Sequence, residues 1–191
     1  MKSSRRKCLS LVAGYSLVEM MMTLAIGLVL VSVALPTMIG AIQGYRLNSI
    51  AQQTANLIDL TRSAAIWRNT VVSFQRGVDD KSGNTIFFVD LNGDGKPNAN
   101  EPLIMLPTDM RIDSGTTDPA CPGLTDTQNF TSKVIFDSRG TLNFIGGAAP
   151  AKYLLTLGYT TQARYGCRAI TVSPMGQTKI LKASEGAWIG M

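Results

Sequence analysis

The chain has 191 residues, with 18 Lys and Arg against 13 Asp and Glu, three cysteines and no histidine. The lack of histidine excludes His-dependent acid–base catalysis and His-ligated metal centres. No phosphate loop, nucleophile elbow or metalloprotease motif is present either, so the chain does not read as an enzyme, and its length suits one soluble domain behind one anchor.

Lys2, Arg5, Arg6 and Lys7 form a basic start, and Met20–Tyr45 then runs for 26 residues without a charge. As a helix that run spans about 39 Å, enough to cross a bilayer. Glu19 stands at its edge, where a lone carboxylate in lipid costs on the order of 2.5–3.5 kcal/mol. Three readings compete. A secretory signal peptide would use Ser32-Val33-Ala34 for cleavage, but the apolar run is too long and Glu19 is misplaced. An ordinary anchor with a cytoplasmic basic end explains the flanking charges but not Glu19. The third reading rests on Gly14-Tyr15-Ser16-Leu17-Val18-Glu19. This stretch resembles the processing site of type IV prepilins and pseudopilins. Their basic leader ends in Gly, an aromatic residue follows, and Glu is fifth in the mature chain.

The resemblance implies that prepilin peptidase removes residues 1–14 and that Tyr15 is N-methylated. It makes 15–44 a transmembrane and filament-core helix, with Pro36 where many pilins carry a helix-loosening proline. Glu19 then gains a partner, the new α-amine on Tyr15 of another subunit. Opposite charges offset part of each other's desolvation cost, and the pair would mark register as a buried polar residue does in a coiled coil.

Residues 45–69 read as an amphipathic helix. Leu47, Ile50, Thr54, Leu57, Thr61 and Ala64 recur at spacings of three and four, flanked by Ala51, Ile58 and Ala65, which lays one face on a soluble domain. Gly40 and Gly44 precede it and permit a bend. The helix is predicted to end near Trp67–Asn69. Residues 70–191 read as a β-rich domain, with strands at Val71–Phe74, Thr85–Val89, Leu103–Leu106, Lys133–Phe136, Leu142–Ile145, Tyr153–Tyr159, Ala169–Val172 and Thr178–Leu181. Asp137-Ser138-Arg139-Gly140 and Ser173-Pro174-Met175-Gly176 are turn signals. Residues 113–132 read as a surface loop.

Leu60–Asn69, Phe87–Gly95, Ile135–Gly140 and Arg168–Gly176 are similar to segments of the FimT/FimU minor pilins and the general secretion pathway protein H pseudopilins. The fold class this implies is α+β: a long N-terminal helix, half transmembrane and half amphipathic, packed on an antiparallel sheet domain. It also implies partners, namely other pilins or pseudopilins and an inner-membrane assembly platform. The chain would cross the inner membrane once, with its N-terminus cytoplasmic and residues 70–191 periplasmic. Cys8 would leave with the leader, so Cys121 and Cys167 would be the available pair outside the cytosol. Their bridge would close a loop of about 47 residues, roughly 4 kcal/mol in the chain-entropy model.

Two ligand sites are open. Asp90–Glu101 fits the calcium-loop pattern D-x-[DN]-x-[DN]-G-x₅-E, with Asp90, Asn92, Asp94, the Lys96 carbonyl and Glu101 as candidate Ca²⁺ ligands. The alternative is a hairpin loop in which Asn-Gly and Asp-Gly supply positive φ. Charge is also uneven: residues 77–137 carry net −6 and residues 139–191 net +5. Either neighbouring subunits present complementary faces, or the basic third binds nucleic acid. Some FimT-type pilins bind DNA through this region, and Arg164, Arg168, Lys179 and Lys182 are the candidates here. Gly176-Gln177-Thr178-Lys179 stands where an Arg-rich sequence would favour that role.

Overall fold

The computed structural model of the protein describes residues 14–113, 121, 127–130, 132–143, 152–160, 166–184 and 187–190. The chain forms two units, Met1–Ala41 and Ile42–Met191. Helix α1, Leu17–Arg68, contributes to both.

In the first unit the Ser16 carbonyl accepts the Met20 N–H at 3.1 Å, just ahead of the helix. The side chains beyond are apolar and exposed, and the most apolar window has a mean hydropathy of 2.3 with none of it buried. Length and composition suit a membrane span. The few hydroxyls bond back into the helix: Thr23 donates to the Met20 carbonyl at 2.9 Å, Ser32 to Val29 at 2.7 Å and Thr37 to Ala34 at 2.8 Å. That removes their demand for outside partners in an apolar setting. Pro36 lies inside the helix. It has no N–H to offer the Ser32 carbonyl four residues back.

In the second unit the expected stripe is the buried one. Leu47, Ala51, Thr54, Ala55, Leu57, Ile58, Thr61 and Ala65 are buried, and Ile50 and Ala64 pack at the margin. Thr54 and Thr61 enter the apolar face because their hydroxyls donate to the Ile50 and Leu57 carbonyls, each at 2.8 Å. Asn69 ends the helix at φ 50°. Its N–H donates to the Ile66 carbonyl and that of Thr70 to the Ala65 carbonyl, both at 3.2 Å. This is a Schellman cap with Asn in place of the usual Gly.

Two sheets cover the helix face. Strands β1 (Val72–Val78), β2 (Thr85–Asp90), β3 (Leu103–Met105) and β6 (Lys133–Phe136) form an antiparallel sheet ordered β3-β2-β1-β6. Strands β4 (Met110–Asp113), β7 (Lys152–Tyr159), β8 (Arg168–Val172), β9 (Thr178–Ser184) and β10 (Ala187–Gly190) form the second, ordered β10-β9-β8-β7-β4. Strand β5 (Thr127–Asn129) joins β7 in parallel, a pairing the antiparallel expectation did not contain. The core is where helix and sheets meet. Phe74, Phe87 and Phe130 cluster with ring centroids 5.3–6.2 Å apart, and Leu155, Leu157, Ile170 and Val172 close the other side.

Several expectations need correction. Strands β4 and β10 were not predicted, and β5 lies inside the predicted 113–132 loop. Leu142 makes an isolated bridge to Phe136 rather than starting a strand, and residues 144 and 145 of that prediction lie outside the described residues. The bridge follows from the turn: the Asp137 carboxylate accepts the Arg139 N–H, the Thr141 N–H and the Thr141 hydroxyl at 2.8–2.9 Å. Burial, the largest single influence, acts to raise that carboxyl. The Thr141 and Arg139 donors together outweigh it and hold it below the ordinary carboxylate value.

Candidate functional site

Gly14, Tyr15 and Ser16 precede the helix and Tyr15 is exposed. Glu19 falls in the first turn of α1, where the helix dipole favours a carboxylate. Residues 1–13, which carry the rest of the expected leader, lie outside the described residues.

The Asp90–Glu101 loop contains all five candidate calcium ligands, and each of their oxygens has an N–H donor. Asp90, only 2% exposed, accepts Gly93 N–H at 2.7 Å, Gly95 N–H at 3.1 Å and Gln75 Nε2 at 2.6 Å. The Asn92 side-chain oxygen accepts the Asp94 N–H. Asp94 accepts the Lys96 N–H and the Asn92 and Asn98 amides. The Lys96 carbonyl accepts the Asn98 amide, and Glu101 accepts the Leu91 N–H at 2.8 Å and the Asn98 N–H at 3.1 Å. The Asn98 amide beside Asp94, then the Lys96 N–H and the Asn92 amide, hold its carboxyl below the usual range. Gly93 and Gly95 take φ of 79° and 72°, the turn conformations that glycine permits. Among the described residues no group of three or more His, Cys, Asp or Glu is placed to hold a metal ion. The geometry is that of a self-bonded loop anchored through Asp90 to β1.

Of the four candidate nucleic-acid residues, Arg168 and Lys182 are cross-strand neighbours, in register between β8 and β9. Arg164 lies outside the described residues. Arg168 is buried, 6% exposed, because it shares the inward face of β8 with Ile170 and Val172 and pairs in register with Leu157. Burial lowers its guanidinium below the usual arginine value. One of its terminal nitrogens donates to the Cys167 carbonyl at 3.1 Å. Lys179 and Lys182 are exposed on β9, but three positions apart on a strand they point to opposite faces. The period-two pattern of β8 already carried the signal that Arg168 faces inward. Cys121 and Cys167 form a disulfide, Cα–Cα 5.5 Å, packed over Gly158.

A family model, that of the type II transport protein GspH, matches residues 51–176. The chain belongs to the GspH family. Two crystal structures of the Pseudomonas aeruginosa type IV minor pilin FimU are similar to it. One has a TM-score of 0.48 and 16% identity, covering 75% of this chain and 97% of that chain. The other has a TM-score of 0.49 and 14% identity, covering 76% and 93%. No curated protein matches.

The GspH-family region runs from Ala51, on the buried helix face, to Gly176, in the β8–β9 turn, and inside it lies a junction that sequence reasoning missed. Arg62 Nε donates to the Gly140 carbonyl at 3.0 Å, and the Leu142 N–H donates to the Pro174 carbonyl at 3.0 Å. Gly140 and Gly176 both take positive φ, 75° and 74°. A Cβ on Gly140 would meet Ile66, and one on Gly176 would meet the Gly140 carbonyl and Arg62. The helix end and both sheets thus interlock through two turns that only glycine fits. Three of the segments that carried the pilin resemblance, Leu60–Asn69, Ile135–Gly140 and Arg168–Gly176, meet here. Membership of this pilin-like family implies assembly with other pilins, and the apolar helix fits membrane anchoring.

Proposed function

We propose that this chain is a structural, non-catalytic subunit, a minor pilin or pseudopilin that helps initiate or cap a type IV pilus or a type II secretion pseudopilus. The observation that carries the reading is a GspH-family domain behind the exposed, uncharged Met20–Tyr45 run of a helix that has Glu19 in its first turn. On this reading prepilin peptidase cuts after Gly14 at the cytoplasmic face of the inner membrane, Tyr15 is N-methylated, and the domain lies in the periplasm. The cut removes four cations and creates an α-amine together. Glu19 pairs with that amine on a neighbouring subunit as the apolar helices pack. An uncompensated carboxylate in that bundle is costly, so the pair favours one register. An assembly platform and its ATPase supply the work, since the chain has no phosphate loop.

Glu19→Ala tests this. The variant should insert and lose its leader normally, yet fall out of filaments and of pilin co-precipitates. Normal incorporation of the variant would refute the pairing.

A further inference from the structure

Strand β9 has an edge that β10 covers only in part. The β10 register runs from Ala187 opposite Ser184 to Gly190 opposite Leu181. Among the described residues no strand pairs with that side of β9 from Thr178 to Ile180. Two bonds fix the backbone direction there. The Ser173 N–H donates to the Gln177 carbonyl at 2.9 Å, and the Ala183 N–H to the Cys167 carbonyl at 3.2 Å. Odd-numbered residues of β9 therefore turn their backbone groups to β8. Thr178 and Ile180, of opposite parity, turn theirs to the open edge.

A groove lies along that edge, with α1 as its other wall. Two adjoining cavities of about 600 and 440 Å³ share Thr178 and Lys179. Together they run from Gln52 to Ile66 on the helix and from Gln177 to Leu181 on the strand, as far as Gly190 of β10. Along the helix that is about 21 Å at ~1.5 Å per residue, the reach of an extended segment of about six residues. The Thr178 hydroxyl donates to the Asp59 carboxylate, so the acid among the lining side chains is engaged. Arg62 and Lys179 line the same groove, and residues 139–191 carry net +5.

We propose that this groove takes an extended, acidic segment of a neighbouring, non-identical pilin, which pairs with the Thr178–Ile180 edge and continues the line that β10 begins. The inference rests on the reading of the chain as a subunit placed among other pilins. An open strand edge calls for backbone donors and acceptors in register. An extended peptide supplies them, whereas a helix or a nucleic-acid duplex does not. Strand β10, seated on the same edge from Leu181 onward, shows that this edge accepts an antiparallel partner. The cations select the charge of the occupant: its carboxylates meet Lys179 and Arg62, and opposite charges of this kind set partner and register. The same cations disfavour a second copy of this chain. Edge-to-edge pairing of two β9 strands centred here would set Lys179 against Lys179, and like charges across a strand pair repel.

The test uses the full-length chain in detergent and a short fluorescent peptide of alternating Glu and Val, read by polarisation. The chain should bind this probe and bind the matching Lys–Val peptide about tenfold more weakly. N-methylation of alternate backbone nitrogens on the probe removes its donors and leaves its side chains, and should abolish binding. Lys179→Glu should weaken the probe about fivefold, the scale of one exposed ion pair. Ser63→Trp, at an exposed position on the groove wall, should block it without touching the core. No binding of the Glu–Val probe, or binding that survives N-methylation or Ser63→Trp, overturns the proposal. So does a DNA duplex that outcompetes the probe at the same groove. Pilin co-precipitation from native membranes separates the two readings. Equal recovery of pilins with the parent chain and with Ser63→Trp overturns the groove contact alone, and a parent chain that brings down no pilin overturns the subunit reading as well.

Discussion

Replacing Gly176 with Ala should destabilise the domain well beyond the cost of its backbone conformation. At φ 74° an L-residue loses about 1–2 kcal/mol relative to Gly. The new Cβ would also fall against the Gly140 carbonyl, and 2.8 and 2.9 Å from Nε and Cδ of Arg62. The carbonyl is backbone, fixed by the Asp137–Thr141 turn, so the Ser173–Gly176 turn itself must move. Overpacking of this kind adds about 1–3 kcal/mol, for a total of about 2–5 kcal/mol. In a domain of this size that lowers Tm by about 6–15 °C. Gly83 is the control. It has φ 69° and nothing within 4 Å of an added Cβ, so Gly83→Ala should show the backbone cost alone, about 3–6 °C. Thermal melting of both full-length variants in detergent, followed by circular dichroism, measures the difference. Equal shifts would refute the tight meeting of the two turns at Arg62.

Two further outcomes follow from the loops. The Asp137 carboxyl is held below its ordinary value in the folded chain, so its contribution is present above the unfolded pKa, about 3.9, and is lost as pH falls through the folded value. Asp137→Asn should therefore cost about 1 kcal/mol at pH 7, kept small by water screening. The gap from the parent should narrow as pH falls below the ordinary carboxylate value and close once the folded carboxyl is protonated, and a gap constant with pH in urea titrations would contradict the assignment. Calcium at millimolar concentration should leave Tm unchanged, because a ligand stabilises only by binding the folded state and among the described residues no three acidic side chains converge to hold an ion. A rise in Tm would show that the loop opens to take the ion.

Long periodic elements were legible in the sequence. The Leu47–Ala65 stripe announced a buried helix face because threes and fours recur over five turns. The Ser173–Gly176 turn announced the β8–β9 hairpin because Pro and Gly leave few alternatives. The missed strands had no such signal. In β4 Met110 and Ile112 turn to the core, but four residues in a Thr- and Asp-rich region are too short to register as alternation. β10 is an edge strand with Ala187 and Ile189 exposed, so burial never patterned it. Arg168 carries a surface charge by composition, but its parity with Ile170 and Val172 on β8 turns it inward. The Asp90–Glu101 spacing fits a calcium loop, but spacing does not convey that Gln75, Asn98 and the loop's own N–H groups hydrogen-bond its oxygens. The Arg62–Gly140–Gly176 junction joins residues 114 positions apart, a contact invisible without the fold.

The central claim is that this GspH-family chain matures as a pilin and keeps its apolar helix. Mass spectrometry of the N-terminus of the chain purified from its native membrane tests that most directly. The account predicts a chain beginning at N-methylated Tyr15, with Glu19 fifth and residues 1–14 absent. A chain that still begins at Met1, or that begins after Ala34 with the apolar helix removed, would contradict it.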